Sequence, residues 1–212
     1  GNIVDPYDVF DSVGADALRW YFVARVAPDV QKRISVEIVR DVASSFLNTL
    51  WNTYGFFVMY ARLDSPDLAR DVPTEQRPES DRWILALLHD TVRRVTTSLD
   101  RYDALNAGRQ IETFVDALSN WYVRLNRRRF WKALAGDDKQ SAYLTLYECL
   151  DIVHRLFAPF MPFIAESMYQ NLVRNVDTDA PDSVHMCAWP TAQNSRMDEA
   201  LLAEFEVVRT IV

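Results

Sequence analysis

Six apolar residues, Val39, Val42, Phe46, Leu50, Tyr54 and Phe57, recur at three- and four-residue steps through residues 35–62. That is the period of one face of an α-helix. A β-strand would throw the same residues alternately to opposite sides, so the pattern commits this stretch to helix. The rest of the chain follows suit. Only 5 of 212 residues are glycine, which favours helices over a turn-rich β fold. Trp83, Leu87 and Leu99 mark the core side of a helix that begins near Glu79, with Ser80 as its N-cap. A central helix is expected from about Asp103 to Lys132, and a further one over residues 139–174, with Leu146, Leu150, Val153 and Phe157 inward. Pro159 and Pro162 must kink or break that last helix.

The punctuation agrees. Asp5-Pro6 starts a short helix carrying Val9, Phe10 and Val13, which Gly14 ends, and a second runs from Ala15 to about Arg25. Pro66, Pro73 and Pro78 make residues 63–80 a loop without periodicity, and the segment Asp64–Glu79 is expected to stay unpacked and to be cut first by protease. Tyr102 and Asp103 form a tight connection, and Gly136 separates the next two helices. Residues 175–195 are polar, and Leu201, Phe205, Val208 and Val212 line a final amphipathic helix. His89 reads as a solvated helix residue and His154 as a satisfied one; neither sits in a triad or a metal cluster.

Charge and cysteine content narrow the function. The net charge of −7 argues against a non-specific polyanion binder, so any RNA contact must be local. Cys149 and Cys187 are far apart with no neighbouring ligands at metal spacing, so no structural zinc is expected, and the reducing cytoplasm is the natural compartment. The longest apolar runs are too short to span a bilayer. No nucleophile–base pair, paired carboxylate or phosphate loop is visible, so the chain itself reads as non-catalytic, with no cofactor of its own. It opens Gly1-Asn2 without Met, and a piece of a longer protein is expected.

One stretch runs against the acidic background. Residues 119–132 carry Arg124, Arg127, Arg128, Arg129 and Lys132 and no acid. Arginines interleaved with Trp and Tyr suit a nucleic-acid surface, guanidinium groups for phosphate and rings for bases. At 100° per residue, Trp121, Arg124, Arg128 and Trp131 share one stripe, beside an apolar stripe of Phe114, Leu118, Tyr122 and Leu125. On the residues alone a second reading stands beside this one: arginines at a helix end that merely complement the macrodipole, and core tryptophans.

The run Ser-Asn-Trp-Tyr-Val-Arg-Leu-Asn-Arg-Arg-Arg-Phe-Trp resembles the Asn/Asp-Trp-Tyr-Val-Arg-Arg-Ser-Arg-Arg-Arg-Phe-Trp signature in the anticodon-binding helical domain of isoleucyl-tRNA synthetases. Leu125 and Asn126 stand where that family often has Arg and Ser. Residues 1–22 are similar to the segment just past the Lys-Met-Ser-Lys-Ser loop of class I synthetases; that loop and the His-Ile-Gly-His motif do not occur in this sequence. Residues 155–169 resemble an element shared by the Ile, Val, Leu and Met synthetases. Residues 183–190 resemble Ser-Val-His-Leu-x-Asp-Trp-Pro, with Ala188 in place of the acid.

The resemblance implies an all-α, antiparallel helical bundle with a short helical lead-in. It divides the chain into a connector (1–30) after a catalytic domain, a helical anticodon-binding domain (31–195) and the start of a C-terminal helix (196–212). It implies a partner, an isoleucine-accepting tRNA, touched by Trp121, Arg124, Arg127, Arg128 and Trp131. The missing catalytic domain of the same chain would be a second partner, and the parent ligase would use ATP and Mg. Two alternatives remain: a structural helical bundle that docks proteins through its aromatic surface, and the same domain of a valyl- or leucyl-type synthetase.

Overall fold

The computed structural model describes residues 4–31, 34–131 and 136–211, and all its regular structure among them is helical. Helix α1 (Pro6–Val13) is capped by the Asp5 carboxylate and stops at Gly14, whose φ of +87° suits only glycine comfortably. Helix α2 (Ala15–Trp20) runs on into a π-helical turn (Tyr21–Arg25). The long helix α3 (Val36–Asp64) starts under a Ser35 cap and buries Val39, Phe46, Leu50, Tyr54 and Phe57 on one face, as the period requires. Then come α4 (Glu79–Asp100) and α5 (Ala104–Asp116). Without a break, α5 passes through a π-helical turn (Ala117–Val123) into α6 (Arg124–Trp131). After α6, α7 (Asp137–Phe157) ends at the two prolines, and α8 (Pro162–Tyr169) continues through a π turn (Gln170–Arg174). The last helix is α9 (Glu199–Ile211).

Helices α3, α4, α5–α6 and α7 alternate in direction around one core. The C-terminus of α3 meets the N-terminus of α7, where Asp64 accepts from Tyr143 and pairs with Lys139. The start of α4 meets the end of α6 at the same far end of the bundle. The opposite end is closed by the lead-in. Trp20 stacks on Phe46 (4.6 Å) and its indole N–H donates to Glu112. Gly108 admits Ala24 so closely that a Cβ there would lie 2.5 Å from Ala24 Cβ. The broken helix is finished by residues distant in sequence. Arg19 donates to the carbonyls of Pro159 and Phe160, and the Asp16 carboxylate accepts from the N–H groups of Phe163 and Ile164, as an N-cap would.

The fold departs from expectation at three places. Ser80 is not the N-cap of α4; Pro78 holds that position and the Ser80 hydroxyl donates to Asn126 Oδ1 instead. His89 is buried, because α4 is covered on that side by the segment around Gln193, whose N–H reaches Nδ1. Burial, then the nearby Arg196 charge, push its pKa down. The loop of residues 63–80 is packed rather than loose. Val72 is buried, the Arg77 guanidinium donates to Val72 O and Thr145 Oγ1, and Gln140 donates to the carbonyls of Asp67 and Arg70. The prolines leave only a 3-10 turn there (Thr74–Gln76), and the long polar side chains of Arg77 within the loop and Gln140 of α7 satisfy freed carbonyls.

Candidate nucleic-acid interface

The π turn at Ala117–Val123 decides what α6 shows. Closing a turn i→i+5 inserts a residue, so within and just after it a four-residue step, not the ordinary 3.6, returns a side chain to the same face. Leu118, Tyr122, Asn126 and Phe130 therefore form the buried stripe, joined by Arg129. Leu125, expected on the core side from ordinary helical period, is 62% exposed: the inserted residue has turned it out and Asn126 in.

The exposed side of α6 brings together Arg124, Arg128 and Trp131, one helical turn apart in succession. Trp131 is 59% exposed. Neither Arg124, Arg127 nor Arg128 pairs with a carboxylate among the described residues. Arg127 sits on the flank, its guanidinium 5.9 Å over the Phe56 ring of α3. Trp121 is set apart from the others: it is half-buried against the core, and α9 lays Arg209 over its ring at 5.6 Å. Its covering was not legible in the sequence, since Arg209 is 88 positions away and on a different helix. Lys132 lies outside the described residues. The cations also stand at the C-terminal end of the long helix that begins at Ala104, where the macrodipole favours positive charge.

Beneath this face lies a polar network that sequence reasoning missed. Arg129, part of the cationic run but not of the expected contact set, turns inward and joins both oxygens of Asp81, at 2.5 and 2.9 Å. The Tyr122 hydroxyl donates to the same carboxylate at 2.9 Å. Burial and the Asp81 charge raise the Tyr122 pKa well above its usual range. Burial works against the Arg129 charge, but the Asp81 carboxylate outweighs it and the guanidinium stays firmly protonated. Among the described residues no group of three or more His, Cys, Asp and Glu side chains is disposed to hold a metal, and no helix is long and apolar enough to cross a membrane.

Comparison with known proteins supplies the family and the fold. The chain is 48% identical, over all its length, to the isoleucine–tRNA ligase of Thermus thermophilus and to that of Deinococcus radiodurans, and 47% identical to that of Dehalococcoides mccartyi strain 195. It spans about a fifth of each of those proteins: 20%, 19% and 21%. Among solved structures it superposes on an Agrobacterium radiobacter K84 LeuRS, in a ternary complex with tRNA and LeuAMS, with a TM-score of 0.71 at 20% identity. That match covers 93% of this chain and 22% of the other. Mycobacterium tuberculosis methionyl-tRNA synthetase, in complex with methionyl-adenylate, gives 0.65 at 22% identity, over 88% of this chain and 40% of the other. These two likenesses show the all-α fold. Residues 81–212, well over half of the chain, match the family described as the anticodon-binding domain of tRNA ligase, and the chain belongs to that family.

Proposed function

We propose that the chain binds the anticodon stem-loop of an isoleucine-accepting tRNA, as one part of an isoleucine–tRNA ligase working in the cytoplasm. The observation that carries this reading is the exposed face of Arg124, Arg128 and Trp131, uncompensated by carboxylates among the described residues, on a chain of net charge −7. Guanidinium groups suit the phosphate backbone, and an exposed indole offers a stacking surface to an unpaired base. Arg127 extends the cationic edge toward α3. Trp121 joins the set at its half-buried flank, with Arg209 over its ring. Residues 1–30 serve as the connector to the catalytic domain, residues 31–195 as the binding domain, and residues 196–212 begin the element beyond it. Isoleucine activation with ATP and Mg belongs to the catalytic part of the ligase, and this chain supplies tRNA recognition.

Titrating the purified chain with isoleucine-accepting tRNA and with an unrelated tRNA, at two salt concentrations, tests the reading. Tighter binding of the isoleucine tRNA, weakening steeply with salt, is expected. Equal, salt-insensitive binding of both would sink it and favour an apolar docking surface for protein.

A further inference from the structure

Three consecutive arginines stand near the end of α6, and only two of them are displayed. Besides Asp81, Arg129 donates to Asn126 Oδ1 at 3.0 Å and to the Asp138 carbonyl at 2.7 Å, and its Nε lies 2.8 Å from Asp138 Oδ1. One guanidinium thus ties α6 to the first turns of α4 and α7. Asn126, in turn, donates to the Tyr122 carbonyl and accepts from Ser80. Tyr122, Asn126 and Arg129 are successive members of one inward stripe, and Tyr122 lies within the π turn. Gain or loss of one residue in that turn would rotate everything after it by roughly 100°. Arg124, Arg128 and Trp131 all come after it. A buried ion pair is seldom a large net stabiliser compared with an apolar replacement, whereas fixing register is its best-attested use.

We infer that Asp81 and Arg129 are positioning residues for the RNA-binding face, locking the rotation of residues 124–131 so that Arg124, Arg128 and Trp131 face outward together while neither member of the pair touches RNA. The inference rests on the RNA-binding reading above.

The test measures affinity of the purified chain for isoleucine-accepting tRNA across a salt series, well below the melting temperature, with circular dichroism to verify folding. Asp81→Asn removes one negative charge from an acidic protein, which by simple charge would tighten binding to a polyanion. Positioning predicts the reverse: affinity about tenfold lower, with the slope of log K on log salt unchanged. The double variant Asp81→Asn, Arg129→Gln replaces the ion pair by two amides that can still bond each other. It should return to within about threefold of the parent, again with the parent's slope. Arg128→Ala, run in parallel, should lose about one unit of slope. If Asp81→Asn does not fold, Tyr122→Phe, which deletes one oxygen of the network, takes its place with the same expectation. A folded Asp81→Asn or Tyr122→Phe that binds like the parent overturns the inference. So does a double variant that loses a unit of slope as Arg128→Ala does, because Arg129 would then be a phosphate contact. Should the parent itself fail to bind, or bind without salt dependence, the RNA-binding reading falls and takes the inference with it.

Discussion

At the lead-in end of the bundle, Trp20 lies flat on Phe46 and edge-on to Phe160, Gly108 admits Ala24, and the few polar groups cap carbonyls and amides of the broken α7–α8 helix. At the far end, Arg129, Asp81, Tyr122 and Asn126 form a buried polar network, and a second one joins Arg77 to Val72 and Thr145. Both ends are closed, but by different interactions. Among the described residues the lead-in end is sealed mainly by close apolar contact, and such contact is tolerant of rotation. The far end shows cations to solvent on one side of a single helix. Directional bonds there hold that helix at one rotation, which apolar packing alone specifies less sharply.

The largest effect expected from this contrast is at the lead-in. Trp20 is fully buried, and Trp20→Ala should lower stability by about 3–5 kcal/mol through the void it leaves. A denaturant titration checks this; a loss below about 1 kcal/mol would show that the lead-in end is not sealed by this contact. Asp81→Ala at the far end should cost a similar or slightly smaller amount, about 3–5 kcal/mol, because it strands the Arg129 charge inside. The two can be told apart by rescue. Adding Arg129→Met to Asp81→Ala should recover much of the stability, since the stranded charge is then gone, whereas no charge change elsewhere should rescue Trp20→Ala.

How much of this was legible depended on whether the determining contact was local. The inward faces of α3 and α7, the stop at Gly14 and the break at Pro159 and Pro162 are written in period and in backbone chemistry, and each appears as read. The far-end network is not local. Three adjacent arginines look equivalent until a carboxylate 48 positions earlier selects one of them. Leu125 failed for a related reason: its inward placement assumed an ordinary period through a turn that is π-helical. The family resemblance, with Arg at that position, was the better guide to its exposure. Of the proposed contact residues, Arg124, Arg127, Arg128 and Trp131 are exposed as the sequence suggested, and Trp121 is partly covered by a helix whose docking no motif announces.

A smaller effect separates the core between the two ends. His154 is fully buried on α7, its Nδ1 at 2.8 Å from Leu150 O, and burial outweighs the pull of Asp151 to bring its pKa from 6.5 to about 4. The folded chain therefore stays unprotonated there where the unfolded chain takes up a proton. The resulting stability is whole above about pH 6.5 and is lost as pH falls toward 4, amounting to about 3 kcal/mol across that window. His154→Leu should flatten the acid limb of a stability–pH curve by about one proton. An unchanged limb would mean that the ring is not kept neutral by this site.

The smallest change in stability should come from the displayed face itself, and it is the sharpest test of the contrast. Arg128→Ala removes an exposed charge without a carboxylate partner among the described residues, so the melting temperature should hardly move. Its neighbour one position along, Arg129, is held by the buried pair, and Arg129→Ala should melt many degrees lower by leaving Asp81 unpaired. In tRNA binding the order reverses in kind. Arg128→Ala should reduce the salt slope by about one unit. Trp131→Ala should leave the slope alone and weaken binding by roughly 1–3 kcal/mol, as loss of a stacking surface does. Since Trp131 is more than half exposed, its removal should lower stability far less than removal of Trp20. If Trp131→Ala melts as low as Trp20→Ala while Arg128→Ala binds tRNA like the parent, the far end is a packing feature like the lead-in end. The difference between the two ends would then be one of chemistry without a difference of role.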